Sequence, residues 1–190
     1  MSATTIASAD QYATWASGQG LAAAPAGLAE ALAQATAELQ NFCGRDFLPS
    51  PSDYDETETR TYYGNGGYTL WIDDALTVAS VTCAGAAVSD YITKGAPITQ
   101  LVRSAYPWTS NAAVAVVGRF GYAEQAALPA PLVEACCILA ALRLAGSGNW
   151  DKLGIKRTTV INVTIEFSAE GREAKRQEAL SLARPYRRIF

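Results

Sequence analysis

The sequence predicts an α+β protein, a small helical bundle with an inserted antiparallel β-sheet region and a C-terminal helical arm. Three observations carry that prediction. Apolar residues recur at helical steps over residues 26–43, the period changes to two over 56–123, and residues 131–145 are apolar nearly all round. At 190 residues and 20.1 kDa, one such body buries a real core. Residues 1–148 read as the core of the protein, and 149–190 as an extended strand followed by a basic helix and tail.

Ala9 to Ser17, with Tyr12 and Trp15, reads as a short helix ending at Gly18. The next helix spans about 26–43. Leu28, Leu32, Ala35, Leu39 and Phe42 repeat at steps of four and three, which lays one apolar stripe along one face. Pro25 stands near its start and Gly44 just past its end, the usual asymmetry of helix termini. In the β region Thr57, Thr59, Thr61 and Tyr63 alternate with Glu58, Arg60 and Tyr62. Tyr68, Leu70 and Ile72 then alternate with Thr69 and Trp71. Asn65-Gly66 between two alternating runs predicts a β-hairpin. Further strands are expected at 77–83, 88–93, 98–103 and 113–120, enough for a small antiparallel sheet or sandwich.

Pro129 and Pro131 open the apolar helix, which Gly146 or Gly148 stops. Thr158 to Phe167 alternates Val and Ile with Asn and Thr, as a strand or an extended arm does. Ser168 is placed to cap a last helix that runs to about Ala183 and ends before Pro185.

The chain has no histidine. That excludes Ser-His-Asp and Cys-His catalysis, imidazole metal ligands and a histidine pH switch. Cys43, Cys83, Cys136 and Cys137 contain no C-x-x-C pair. Two disulfides are arithmetically open, but adjacent cysteines on a helix diverge, so buried free thiols are expected. Asp73-Asp74 and the acids at 53, 55, 56 and 58 lack the spacing of a calcium loop and read as solvated surface. Gly64-Asn-Gly-Gly67 has neither the helix nor the Lys of a phosphate cradle. No catalytic, cofactor-binding or metal-binding residues emerge, no cofactor is implied, and enzymatic activity is not expected. The start, MSATTIASAD, has no basic or apolar signal region, and no apolar stretch approaches the roughly 20 residues of a membrane helix. A soluble chain made in the cytoplasm, with no membrane partner, is the expectation.

Charge is uneven. Residues 1–142 carry 5 Lys and Arg against 13 Asp and Glu, a balance of −8, whereas 143–190 carry 10 against 5, a balance of +5. A protomer polarised in this way stacks head to tail or docks its basic end on an acidic partner; a basic solvated helix is the plain alternative. The tail Tyr186, Arg187, Arg188, Ile189 and Phe190 sets an apolar end beside paired arginines, a pattern suited to a groove on an acidic partner. Tyr62, Tyr63, Tyr68 and Trp71 straddle the Asn-Gly turn. They read either as core and cross-strand pairs or as contacts to another subunit or ligand. Nucleic-acid binding suits the acidic majority poorly.

The order of segments resembles a known family. A Leu-rich helix ends in LQNFCGRDFLP, ETRTYYGNGGYTLWIDD follows, and a strand closes on VGRFGYAEQAALPAPLVEACCILAALRLAG. This arrangement is similar to that of the head–tail connector proteins of tailed bacteriophages, also called adaptor or head-completion proteins. The matching features are Phe42, Gly44, Arg45 and Phe47; Tyr62, Tyr63, Gly64 and Gly66; Leu70; and Gly121, Tyr122, Pro129 and Pro131. They fall within about residues 5–148, and the arm at 149–190 departs from the shortest members.

The resemblance implies a structural virion protein of the phage neck. Members form a ring, commonly of twelve copies, beneath the portal protein. The ring extends the channel through which genomic DNA passes without sequence-specific binding, and it offers a surface to stopper or tail proteins. On that reading helices 26–43 and 131–145 make the core and much of the ring contact. Residues 186–190 with the basic helix anchor to the portal, and the hairpin at 62–71 meets adjacent subunits or the next tail component. A different class, a monomeric β-rich module that stacks glycans or other ligands on Trp71, Trp108 and the tyrosines, is the alternative.

Overall fold

The computed structural model describes residues 5–50, 55–144 and 169–188. The fold is mixed α+β, with four α-helices and one antiparallel sheet of six strands among the described residues. The chain divides into two compact units. One, from 1–44 and 128–190, holds the helices; the other, 45–127, holds the sheet.

In the helical unit α1 (Ala9–Gly18) opens on Ser8, whose hydroxyl accepts from Gln11 N while the Gln11 side chain accepts from Ser8 N. This reciprocal cap satisfies two amides that would otherwise lack partners. The segment before it is tied down by Ile6 N donating to Thr36 Oγ1 at 3.0 Å. Helix α2 (Leu28–Cys43) buries Leu28, Leu32, Ala35 and Leu39 of the expected stripe and leaves its fifth member, Phe42, half-buried, with Ala31, Thr36 and Cys43 filling beside them. Gly44 ends it at φ 62°, and its N–H donates to Gln40 O.

Helix α3 (Ala130–Leu144) buries an unbroken run from Ala135 to Leu142 and is the centre of the bundle, with α1, α2 and α4 packed on it. Helix α4 (Ala169–Ala183) buries, among its described side chains, only Ala179, Leu180 and Ala183. A 3-10 turn follows at Arg184–Tyr186, with Pro185 inside it. The candidate strand at 158–167, the cap at Ser168, Ile189 and Phe190 lie outside the described residues.

In the sheet unit the strands are β1 (Glu58–Tyr63), β2 (Thr69–Cys83), β3 (Ala86–Ala87), β4 (Tyr91–Lys94), β5 (Ile98–Arg103) and β6 (Ala113–Phe120). Their order is β1-β6-β2-β5-β4, with β3 paired to the end of β2. The core on one face is Leu70, Ile72, Val81, Cys83, Leu101, Trp108, Val114, Val116 and Phe120. The runs at 68–72 and 77–83, expected as separate strands, form the single strand β2, whose register against β6 shifts between Ala75 and Thr77 and again between Val78 and Ser80. Bulges of this kind bend a long strand without ending it. Of the strand expected at 88–93 only residues 91–93 form one, as part of β4, while β3 lies just before the run and residues 88–90 are in no strand.

The expected β1–β2 hairpin does not form. Strand β6 lies between the two, pairing Tyr63 with Ala113 on one side and Cys83 with Val114 on the other. Residues 64–68 therefore step over the start of β6. Gly64 N donates to Ala112 O, Asn111 N to Gly64 O, Gly66 N to Trp108 O and Trp108 N to Gly67 O. The Asn65 side chain accepts from Gly67 N, as an Asx turn requires. A Cβ on Gly64 would stand 2.0 Å from Thr109 O. We expect Gly64→Ala to push the two loops apart and cost about 1–3 kcal/mol in denaturant unfolding of the sheet unit; an unchanged midpoint contradicts that.

The chain's two ends in this unit run side by side. Tyr122 N donates to Asp46 O, Ala123 N to Phe47 O, and Ser50 and Phe120 form a β-bridge. Phe47 is fully buried with its ring edge-on to Tyr122, and Gly121 approaches Leu48 O too closely for any side chain. Arg45 holds buried Asp74 through one guanidinium nitrogen at 3.2 Å to both oxygens and lies 5.4 Å from the Tyr122 ring. Gly44, Arg45, Phe47, Gly121 and Tyr122, which carry much of the family resemblance, thus have structural tasks.

Candidate functional site

Two surfaces collect the residues singled out in the sequence, one in each unit. In the helical unit the C-terminal turn is fixed to the end of α2. Arg188 N donates to Cys43 O at 2.9 Å, the Cys43 thiol faces Ala183 O at 3.5 Å, and the Arg187 guanidinium lies 5.7 Å from the Phe42 ring. Arg184 and Arg187 are exposed, while Tyr186 and Arg188 are half-buried. Three arginines within five residues thus share one ordered turn, with no acid between them.

The first two turns of α4 are held mainly by charge. No residue from 171 to 178 is buried. Glu38 of α2 accepts from Arg143 of α3 and, at 2.6 Å, from Nε of Arg176 of α4, so one carboxylate ties three helices. Burial alone would raise the Glu38 carboxyl, but the two guanidiniums outweigh it and hold the group below its ordinary value. Arg172 adds a bond to Leu142 O at 3.3 Å. Sequence reading passed over Glu38. Its signal is slight, a lone acid beside the apolar stripe of α2, and its partners stand more than a hundred residues away.

In the sheet unit the alternation of β1 and β2 separates the four aromatic candidates. Tyr62 points to the core face, beside Val114 in register. Its hydroxyl donates to Asp73 Oδ2 at 3.1 Å and accepts from Asp73 N at 3.2 Å. Burial, with the Asp73 carboxylate adding to it, pushes the phenol up to about 12. Tyr62 is therefore a structural residue on the core face. Tyr63, Tyr68 and Trp71 are 68%, 52% and 61% exposed. Tyr63 and Trp71 share the face opposite the core, where Ile92 and Val102 face each other across β4 and β5. Ile92, also exposed, belongs with this apolar surface; Tyr106 is exposed in the loop after β5, and neither was found from the sequence.

Trp108 does not. Its side chain is fully buried, and Nε1 donates to Leu101 O at 3.3 Å. It cannot serve as a stacking platform, because no ligand reaches its ring. That removes one of the two tryptophans on which a glycan-binding surface was to rest.

All four cysteines are free and buried. Burial, the neighbouring Cys136 and Glu134 push Cys137 up to about 12, and burial also raises Cys136, so both stay protonated thiols. Among the described residues no three His, Cys, Asp or Glu side chains group as metal ligands, and no helix is long and apolar enough to cross a membrane.

The architecture has counterparts among solved structures. A chain in the virion of a native gene transfer agent (GTA) particle is similar, with a TM-score of 0.53 and 13% identity, over 87% of this chain and 78% of that one. A chain in the neck of a native GTA particle, computed with C12 symmetry, matches at 0.50 and 11% over 100% and 97%. One in the neck of an empty GTA particle, computed with C6 symmetry, matches at 0.52 and 14% over 98% and 95%. At these identities the likeness is one of fold. No family model matches the chain, and no curated protein matches it.

Proposed function

We propose that the protein is a structural component of the neck of a phage-like virion, a ring-forming connector that joins the capsid to the stopper or tail proteins. The observation that carries this reading is the likeness of fold, over nearly the whole length of both chains, to a chain from a particle neck solved with C6 symmetry. Symmetric rings are the setting in which a polarised protomer closes on itself. The ring, most simply a dodecamer, sits under the portal protein and extends the channel for genomic DNA. A channel lined by a chain with a net charge of −3 does not hold phosphate and lets the genome slide. The role needs no catalytic residue, cofactor or metal.

Within that role we assign Tyr186, Arg187, Arg188, Ile189 and Phe190 to the portal. The ordered turn at 184–188 presents Arg184 and Arg187 outward, which suits an acidic receiving surface. Tyr63, Tyr68 and Trp71 are assigned to contacts with the next subunit or the tail component, because exposed aromatics of this size supply interface anchors. Tyr62 supports that surface from beneath.

The test is truncation after Ala183. The shortened chain should keep its helical circular dichroism and lose binding to purified portal, read by co-sedimentation. Unchanged binding would overturn the portal assignment. Absence of the full chain from the capsid–tail junction of purified particles would overturn the whole reading.

A further inference from the structure

The helical unit carries a groove that borders the turn assigned to the portal, since Arg187 lies against its Phe42. It occupies about 660 Å³ and is lined by apolar Ala37, Phe42 and Leu180 together with Glu38, Arg143 and Arg176. Two guanidiniums face one carboxylate there, so the lining has a charge of +1. Arg176 is 46% exposed; its Nε is held by Glu38 at 2.6 Å, while its Nη1 reaches Glu173 at 3.4 Å, a weak hold that a better acceptor replaces easily. The groove therefore suits an acidic segment with apolar or aromatic content.

The chain itself contains such a segment. Residues 53–58 read Asp-Tyr-Asp-Glu-Thr-Glu without a Lys or Arg; Glu58 begins β1 and is held by Arg60 and Ser50, and the other three acids precede the strand. Asp55 and Glu56 are exposed immediately before β1. The sheet unit that carries the run has 5 Lys and Arg against 9 Asp and Glu, whereas the helical unit has 10 against 9. We propose that the acidic run of one copy docks in the α2–α3–α4 groove of a second copy. The contact is head to tail, with different surfaces on the two partners, and such contacts repeat around a closed ring. This rests on the ring reading above and names the surfaces that ring would use.

Charge exchange tests it. Asp55→Lys with Glu56→Lys reverses the run, and Ala37→Glu with Asn41→Glu reverses the groove; all four positions are exposed, so both variants keep the fold. In sedimentation velocity at low salt, either variant alone should self-associate at least about tenfold more weakly than the parent, and an equimolar mixture of the two should recover association. Disulfide trapping reads the same contact when association is weak. With the native thiols buried, a chain carrying Glu56→Cys and Ala37→Cys should oxidise to a ladder of linked copies. Oligomers that persist in both variants, a mixture that fails to recover, or a disulfide closed within one monomer overturns the docking and leaves the ring standing. A parent that stays monomeric at every concentration and in the presence of portal, with no ladder, overturns the docking and the ring together.

Discussion

Trp108→Ala should be the most damaging single substitution in the sheet unit. The indole is fully buried within the apolar cluster of the sheet, and its N–H is satisfied by Leu101 O. Its backbone carries two of the four bonds that anchor the 64–67 crossing, Gly66 N to Trp108 O and Trp108 N to Gly67 O. Truncation removes the apolar contact, opens a cavity and loosens that crossing together. The expected loss is about 3–5 kcal/mol, a large part of the roughly 5–15 kcal/mol that keeps an average domain folded. Trp71→Ala is the matched control. Its ring is 61% exposed, so the change should fall within about 0.5 kcal/mol. Chemical denaturation followed by circular dichroism compares the two, and equal losses would contradict the placement of either ring. Assembly should show the reverse order, with Trp71→Ala impaired although its monomer is intact.

The second large effect concerns Glu38. Glu38→Gln leaves size unchanged and withdraws the charge that Arg143 and Arg176 share, so α4 should come away from α2 and α3 before the bundle melts. The cost is about 1–2 kcal/mol after allowance for the exposed half of Arg176. Amide exchange in α4 should accelerate by about tenfold or more, while α3, which is buried from Ala135 to Leu142, keeps its protection. The sign with pH follows from the direction of the shift. A carboxyl held below its ordinary value in the folded state stabilises fully at neutral pH, and the contribution fades as pH falls through the carboxylate range. The parent should therefore exceed the Gln variant in stability at pH 7 and converge on it in acid. A gap that stays constant with pH would show that Glu38 acts by packing alone.

These two residues also mark what the sequence discloses. Helix α2 was legible because its stripe is local. Leu28, Leu32, Ala35 and Leu39 repeat within sixteen residues, and Gly44 closes the helix as a left-handed cap. Strands β5 and β6 matched their expected limits for the same reason. The partners of β1 were not legible. Asn65-Gly66 is a strong local turn signal, but β6, fifty residues further on, inserts between the flanking strands, and no local pattern reports a strand arriving from that distance. Trp108 misled because Pro107, Thr109 and Ser110 give its surroundings the look of an exposed loop.

Of the candidate surfaces, the arginine-rich turn could be read directly, since its residues are contiguous. The separation of Tyr62 from Tyr63 was implicit in strand alternation. The groove was invisible because Ala37, Arg143 and Arg176 meet only after three helices have packed.

The pairing of Asp46 with Tyr122 and Phe47 with Ala123 brings the first and last segments of the sheet unit together like the prongs of a plug. A module fastened in this way can be lengthened, exchanged or removed during descent, and the host helices register only a short bridge in its place. The helices can stay constant while the inserted cassette diversifies.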